Sequence, residues 1–135
     1  MTRKITAIGF DYFGVVYQNS IDLHIVDLMK QLRHGGYKVG VLSNAGVGLR
    51  REIESSVLGG LVDVVCLSGE HGLLKPDVAF FNIFLERLGV NASEFVFVDD
   101  SVRSLETSHI VGYTPILFSD YGSLVSELRV LGVEG

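Results

Sequence analysis

The sequence is poor in cysteine, in proline and in long apolar runs. Its single cysteine, Cys66, leaves no disulfide within the chain, and the apolar run VDVVCLS around it predicts a small buried side chain rather than a reactive thiol. Two prolines and the lack of a low-complexity tract exclude a long disordered linker. We therefore expect a single ordered domain over residues 1–135, close to the usual domain length.

Basic charge is also scarce. Eleven Lys and Arg residues against sixteen Asp and Glu residues give a formal net charge of −5, and the basic residues are scattered. This pattern does not indicate a surface for nucleic acid or for an anionic membrane. The N-terminal segment shows no cleavage signal, and Asp11 interrupts its apolar stretch. No stretch reaches the roughly 18 apolar residues of a membrane span, so we expect a cytoplasmic protein.

Five short apolar runs, rich in β-branched residues, recur along the chain. They cover Ile5 to Phe10, Lys38 to Leu42, Val62 to Leu67, Phe95 to Val98 and Pro115 to Phe118. They lack the polar alternation of strands that face water on one side. Near-continuous hydrophobicity is typical of parallel strands that are covered on both faces.

Segments of helical period lie between these runs. The clearest are Ile21 to His34, with Ser20 predicted as its cap and Gly35-Gly36 as its end, and Asp77 to Leu88, followed by Gly89. Less regular candidates are Val47 to Leu58, Val102 to Ile110 and Ser123 to Leu131. The alternation predicts an α/β fold, a doubly wound parallel sheet of about five strands with helices on both faces.

Polar residues follow the predicted strands at the ends where such sheets bind ligands. They are Asp11, the pair Ser43-Asn44, Lys75 in the loop before a helix, and the pair Asp99-Asp100. A carboxylate can attack phosphorus and form an acyl phosphate, and carboxylates can hold the Mg²⁺ that offsets the phosphate charge. Each residue alone is better explained as a cap or turn residue, but the ordered set favours a phosphoryl-transfer site.

Four segments resemble, in order and spacing, the motifs of the haloacid dehalogenase superfamily of aspartate-nucleophile phosphohydrolases. They are IGFDYFGVV, VGVLSNAG, LSGEHGLLKPDVAFF and FVFVDDSVRSLETSHIVGYTPILF, and they span about residues 5 to 118. The resemblance implies a core fold of this family and a set of roles. These are Asp11 as nucleophile, Ser43 and Asn44 as phosphate-binding residues, Lys75 as the charge-stabilising lysine, and Mg²⁺ held by Asp11, Asp100, the assisting Asp99 and the backbone carbonyl of Phe13.

Phe13 departs from the motif of the family's phosphatases. Those enzymes usually carry a second aspartate there, which protonates the leaving group and then activates water against the acyl phosphate. A phenyl ring has no transferable proton, and general acid–base catalysis typically contributes about 10²- to 10⁴-fold. The sequence thus predicts a magnesium-dependent phosphatase with weakened acid–base catalysis. Glu70 or His71, near the end of the third strand, could supply the proton, or both are ordinary solvated loop residues.

No cap domain is predicted above the site. Relatives with these motif spellings usually insert a helical cap between the nucleophile and the Ser-Asn motif, whereas 31 residues separate Asp11 from Ser43 here. An open site favours a phosphorylated substrate that is macromolecular, or closure by a second subunit in a homo-oligomer. The acidic net charge makes a nucleic-acid end the less favoured substrate.

The alternative to a phosphatase is a catalytically inactive domain that binds phosphate or a partner protein. Phe13 and the lack of a cap favour this alternative, whereas the complete set of strand-end residues favours the enzyme. Dehalogenation is disfavoured, because halide displacement needs a dry pocket that the family builds partly from its cap. A phosphoacceptor receiver domain is disfavoured too, because there the acidic pair follows the first strand and the acceptor a central one.

Overall fold

The five predicted strands form one parallel sheet in the computed structural model, which describes residues 4–134. The strands of the sheet are β1 Ala7–Phe10, β4 Lys38–Ser43, β5 Val64–Leu67, β6 Phe95–Asp99 and β7 Thr114–Leu117. A small hairpin is formed by β2 Tyr17–Gln18 and β3 Ser20–Ile21. The order across the sheet is β5-β4-β1-β6-β7, and β2 pairs only with β3. The predicted fold class is therefore confirmed.

Six α-helices lie within the described residues, five between strands and the sixth after the last strand. They are α1 Leu23–His34, α2 Leu49–Glu54, α3 Ser68–His71, α4 Val78–Leu88, α5 Ser108–Val111 and α6 Tyr121–Val130. The helix predicted to run to Leu58 ends early, because the hydroxyls of Ser55 and Ser56 each donate a 2.7 Å hydrogen bond to a carbonyl of the last turn. The helix predicted from Val102 to Ile110 is a 3₁₀ turn at Arg103–Leu105 followed by α5.

The start of α1 corrects the predicted cap. Ser20 lies in β3, because Asn19 adopts a left-handed conformation with φ of 64° and turns the chain into the hairpin. Asp22 caps the helix instead, and its Oδ1 accepts hydrogen bonds from the backbone N–H groups of His24 at 2.9 Å and Ile25 at 3.4 Å. The predicted end is confirmed, since Gly35 is the C-cap.

The core lies on both faces of the sheet. Buried residues of α1 and α6 pack on one face and those of α4 on the other. Gly9 of β1 and Gly40 of β4 are partners in register, and a Cβ atom on either would lie 2.8 or 2.6 Å from the ring of Phe84. The two glycines thus let the ring of Phe84 lie directly on the sheet backbone. Cys66 is buried, as predicted.

The connection from β1 to α1 is short. It holds the β2–β3 hairpin, here called the flap (residues 12–21), and no separate domain is inserted there in the structure over residues 4–134. The single domain predicted over residues 1–135 extends at both ends beyond the described residues. None of the helices described has both the length and the apolar character that crossing a membrane requires.

Candidate active site

Polar side chains follow the three central strands at one edge of the sheet. Asp11 comes directly after β1, Ser43 ends β4 with Asn44 next in the chain, and Asp99 ends β6. Because β1 lies between β4 and β6, parallel pairing brings these three strand ends together. From β1 the chain runs to β4 on one side of β1, and it later returns to form β6 on the other side of β1. This edge is therefore the switch point at which such sheets bind ligands.

Lys75 reaches the same edge from the loop between α3 and α4. Its Nζ donates hydrogen bonds to Oδ1 of Asp11 at 2.8 Å and to Oδ2 of Asp99 at 2.7 Å. All three residues are buried, and Nζ lies 5.3 Å from the ring centroid of Phe97. Two carboxylates thus share one ammonium where little water screens their charges.

The negative charge at this edge exceeds the positive charge of Lys75. Asp11, Asp99 and Asp100 each offer a carboxylate oxygen, and the three oxygens lie within 4.8 Å of one another. Burial raises the pKa of the Asp11 carboxyl from 3.8 to about 7, the Lys75 ammonium opposes the rise, and the charges of Asp99 and Asp100 add to it. A bound cation would favour the ionised form of Asp11.

The donor atoms fit a magnesium ion. Magnesium prefers a few carboxylate and carbonyl oxygens and keeps several waters. Asp99 has both oxygens engaged, because Oδ1 accepts a 2.9 Å hydrogen bond from the Ser101 N–H and Oδ2 accepts one from Lys75. Asp100 is exposed, and within residues 4–134 no protein hydrogen bond reaches the backbone carbonyl of Phe13. Among the carboxylates, direct ligation is thus easiest for Asp11 and Asp100, and ligation by the Phe13 carbonyl stays a prediction.

Gly14 of the flap packs directly against the Asp100 carboxylate. Its φ of +92° is a conformation that side chains other than glycine rarely adopt. A Cβ atom there would lie 2.5 Å from Cγ of Asp100 and nearer still to Oδ2. Only glycine lets the flap approach Asp100 this closely, a requirement that the sequence pattern did not reveal.

The ring of Phe13 packs against two tyrosine rings of the flap. Its ring is edge-on to Tyr12, with centroids 4.9 Å apart, and to Tyr17, with centroids 5.8 Å apart. Tyr12 is buried and stacks on Tyr17, whereas Phe13 is 48% exposed. The side chain two residues after Asp11 is therefore an exposed apolar ring held in place by two others.

The side chain of Asn44 holds the loop that carries Lys75. Oδ1 of Asn44 accepts a 2.8 Å hydrogen bond from the Lys75 N–H, and Nδ2 donates one of 3.3 Å to the Lys75 carbonyl. The hydroxyl of Thr107 donates a 2.7 Å hydrogen bond to the carbonyl of Pro76. Asn44 thus positions Lys75 in this structure, beyond the phosphate-binding role predicted for it.

Ser68 orders the loop that follows Ser43 and Asn44. Its Oγ accepts a 2.9 Å hydrogen bond from the Ala45 N–H and donates one of 3.2 Å to the Ala45 carbonyl. No role is predicted from sequence for Ser68 or Thr107. Their contacts join distant parts of the chain, so no local sequence signal reveals them.

Of the two substitute proton donors considered from sequence, Glu70 is engaged elsewhere and His71 makes no hydrogen bond through Nε2. Both oxygens of Glu70 accept hydrogen bonds from Arg50, at 2.6 and 2.8 Å, and this contact lowers the pKa of the Glu70 carboxyl. His71 packs near the ring of Phe80, with centroids 6.0 Å apart, and its Nε2 is buried without a hydrogen-bond partner. Neither side chain contacts Asp11.

The predicted residues separate into two groups in the structure. Asp11, Lys75, Asp99 and Asp100 form one cluster, and Ser43 with Asn44 lies on the neighbouring strand end. The catalytic, phosphate-binding and metal-binding roles of these residues stay predictions.

Comparisons with known proteins agree with this geometry. A sequence model described as haloacid dehalogenase-like hydrolase matches residues 11–107. The chain is 33% identical over 110 residues to a phosphatase of Mycobacterium tuberculosis, an overlap that covers 77% of this chain and 51% of that protein. The chain spans about half the length of the curated relatives it matches.

Solved structures share the fold along the chain. An uncharacterized protein from Corynebacterium glutamicum is 27% identical with a TM-score of 0.78, covering 97% of this chain and 98% of its own. A family enzyme from Bacteroides thetaiotaomicron, an aspartate-to-alanine mutant in complex with magnesium and inorganic phosphate, is 23% identical with a TM-score of 0.65. That match covers 77% of this chain and 58% of the enzyme.

Proposed function

Because the chain belongs to the haloacid dehalogenase-like hydrolases, we propose that it is a magnesium-dependent phosphatase with Asp11 as its nucleophile. The observation that carries the proposal is the Lys75 ammonium between Asp11 and Asp99, beside Asp100. The named activity of the mycobacterial relative supports the reaction class. The magnesium and phosphate of the Bacteroides enzyme support the cofactor.

The residues divide the work of the proposed site. Lys75 holds the Asp11 carboxylate and offsets charge that develops as a phosphoryl group approaches. Ser43 and the backbone of Asn44 bind phosphate oxygens. Mg²⁺, held by Asp11, Asp100 and the Phe13 carbonyl with help from Asp99, would offset the charge of the phosphate and of the carboxylates.

The proposed reaction has two steps. An oxygen of Asp11 attacks phosphorus, an acyl phosphate forms, and the leaving oxygen departs with its electron pair. Water then attacks the same phosphorus, the bond between phosphorus and the Asp11 oxygen breaks, and phosphate leaves with the proton of the water as the Asp11 carboxylate is restored. Phe13 weakens both steps, because it can neither protonate the leaving oxygen nor take a proton from water.

The open edge guides the proposal about partners. Within the described residues, the flap is the only segment inserted between β1 and α1. We therefore propose a phosphorylated substrate that is macromolecular, or a site that a second subunit closes in a homo-oligomer. The cytoplasmic location stays a prediction.

The test is hydrolysis of 4-nitrophenyl phosphate with Mg²⁺ and with a chelator, for the wild type, Asp11→Asn and Asp27→Asn. Asp27 is exposed on α1, so its variant is the matched loss of one carboxylate away from the site. We expect turnover that depends on Mg²⁺, is lost in Asp11→Asn and is kept in Asp27→Asn. Beryllofluoride with Mg²⁺ should also protect the wild type against thermal unfolding, measured as a rise in its Tm. No turnover and no protection would contradict the proposal, whereas protection without turnover would indicate a binding domain.

A further inference from the structure

We propose that this site acts on activated phosphoryl donors, whose leaving group is stable as an anion, rather than on alkyl phosphate monoesters. The inference rests on the proposed function and concerns its substrate class. Aryl, enol and acyl phosphates and phosphoanhydrides belong to the favoured class. The observation behind the inference is the exposed ring of Phe13, two residues after Asp11 in the chain, together with hydrogen bonds that other carboxylates accept from the protein.

Four carboxylates outside the cluster of Asp11, Asp99 and Asp100 already accept hydrogen bonds from the protein. Asp22 caps α1, Asp120 caps α6 through a 2.8 Å contact with the Ser123 N–H, and Glu70 is bound by Arg50. Asp77 accepts a 3.2 Å hydrogen bond from a backbone N–H of its own loop. Each of these carboxylates thus already serves as a hydrogen-bond acceptor for the protein.

Three further polar side chains of the flap and of the Lys75 loop are buried or already donate to the protein. The amide of Gln18 donates its hydrogen bonds to the carbonyls of Gly14, at 3.2 Å, and Val15, at 2.9 Å. Tyr12 is buried beneath Phe13 and Tyr17. Lys75 already donates to two carboxylates. None of these groups is therefore a free proton donor in place of the Phe13 side chain.

The bond changes show why this selects the substrate. In the first step the P–O bond to the leaving group breaks as the bond to the Asp11 oxygen forms, and the leaving group keeps the electron pair. A phenolate, carboxylate or phosphate is stable with that charge, whereas an alkoxide needs a proton at once. Without a donor, the barrier must rise with the pKa of the leaving alcohol. General acid catalysis is worth about 10²- to 10⁴-fold, which is the expected disadvantage of alkyl esters.

The kinetic constants separate this effect from slow release of phosphate. The constant kcat/KM reports events up to the first irreversible step, here transfer to Asp11, whereas kcat also includes hydrolysis of the acyl phosphate. The second step is common to all substrates. We therefore expect log kcat/KM to fall steeply with leaving-group pKa, while kcat varies less among the activated donors.

The test is a series of phenyl phosphates of graded leaving-group pKa, with acetyl phosphate and ethyl phosphate at its two ends, all with Mg²⁺. The matched variants are Phe13→Asp, which adds a proton donor, and Phe13→Asn. Asparagine has the size and shape of aspartate but no acidic proton. We expect Phe13→Asp to raise kcat/KM for ethyl phosphate by about 10²-fold or more and for 4-nitrophenyl phosphate by less than about tenfold. Phe13→Asn should keep the steep wild-type dependence.

The outcomes separate this inference from the proposed function. No Mg²⁺-dependent turnover of any donor would overturn the proposed function itself. Turnover with a flat dependence on leaving-group pKa in the wild type would leave the phosphatase standing and overturn the substrate class, since a proton donor must then exist. Equal gains in Phe13→Asp and Phe13→Asn would also overturn it, because the ring would then act only by its bulk. The wild-type series tests the inference even if a variant fails to fold.

Discussion

Replacing Asp11 by asparagine should stabilise the metal-free protein at alkaline pH. Two buried carboxylates share the Lys75 ammonium, and burial raises the pKa of Asp11 from 3.8 to about 7. The folded state therefore holds the Asp11 proton to a higher pH than the unfolded state does. As pH rises through this interval, the unfolded chain loses its proton first, so the folded protein loses stability. Asparagine carries no charge at any pH and keeps the Lys75–Asp99 pair.

The size of the stability change follows from the shift in the pKa of Asp11. Each pKa unit corresponds to about 1.4 kcal/mol, so a rise from 3.8 to about 7 costs about 4 kcal/mol when Asp11 is fully ionised. Between pH 5 and pH 8 the expected loss is about 3 kcal/mol, because part of the change lies below pH 5. For a domain of this length that corresponds to a change in Tm on the order of 10 °C.

The assay is urea unfolding at several pH values from 5 to 8 with a chelator present. The quantity compared is the unfolding free energy of Asp11→Asn minus that of the wild type, which removes the pH dependence of the other groups. It should rise by about 3 kcal/mol across the range, whereas the same difference for the exposed control Asp27→Asn should stay flat. Adding Mg²⁺ at pH 8 should stabilise the wild type far more than Asp11→Asn. A difference that is flat or falls with pH would refute the reasoning.

Two glycine substitutions test the packing around the site and under the sheet. Gly14→Ala should weaken Mg²⁺ binding by about tenfold or more, since its Cβ would displace the Asp100 carboxylate. The control is Gly36→Ala, because Gly36 has a similar φ of +94° with open space around it. Equal weakening of Mg²⁺ binding in the control would contradict this explanation. Gly40→Ala should cost about 1–3 kcal/mol of stability in urea unfolding, because its Cβ would lie 2.6 Å from Cζ of Phe84. An unchanged unfolding midpoint would show that the ring moves aside freely.

The strands and the order of the candidate site residues could be predicted from local sequence. Buried parallel strands are apolar throughout, and the residue that follows each strand is fixed by chain order. Pairing of β1 with β4 and β6 then brings Asp11 together with Asp99. Lys75 was predicted with this set as the ammonium in the loop before a helix, although that loop does not directly follow a strand.

The contacts that hold the site could not be predicted in this way. Asn44 and Lys75 are joined by two side-chain hydrogen bonds across 31 positions, and Thr107 joins Pro76 across the same separation. Such contacts depend on how loops meet in three dimensions. The cap of α1 was wrong for a related reason, since the left-handed turn at Asn19 decides whether the next residue enters a strand or a helix.

The proposed function asks more of phosphoryl transfer than of proton transfer. In that proposal Asp11 is the nucleophile, Lys75 is a fixed positive charge and Asp100 is a cation ligand, and these roles need no proton in the first step. The excess of carboxylates that destabilises the metal-free site would also favour a bound cation. At Phe13 the apolar ring removes only the group that serves the leaving oxygen and the attacking water. The rate should therefore depend on the stability of the departing anion and on how fast water reaches phosphorylated Asp11.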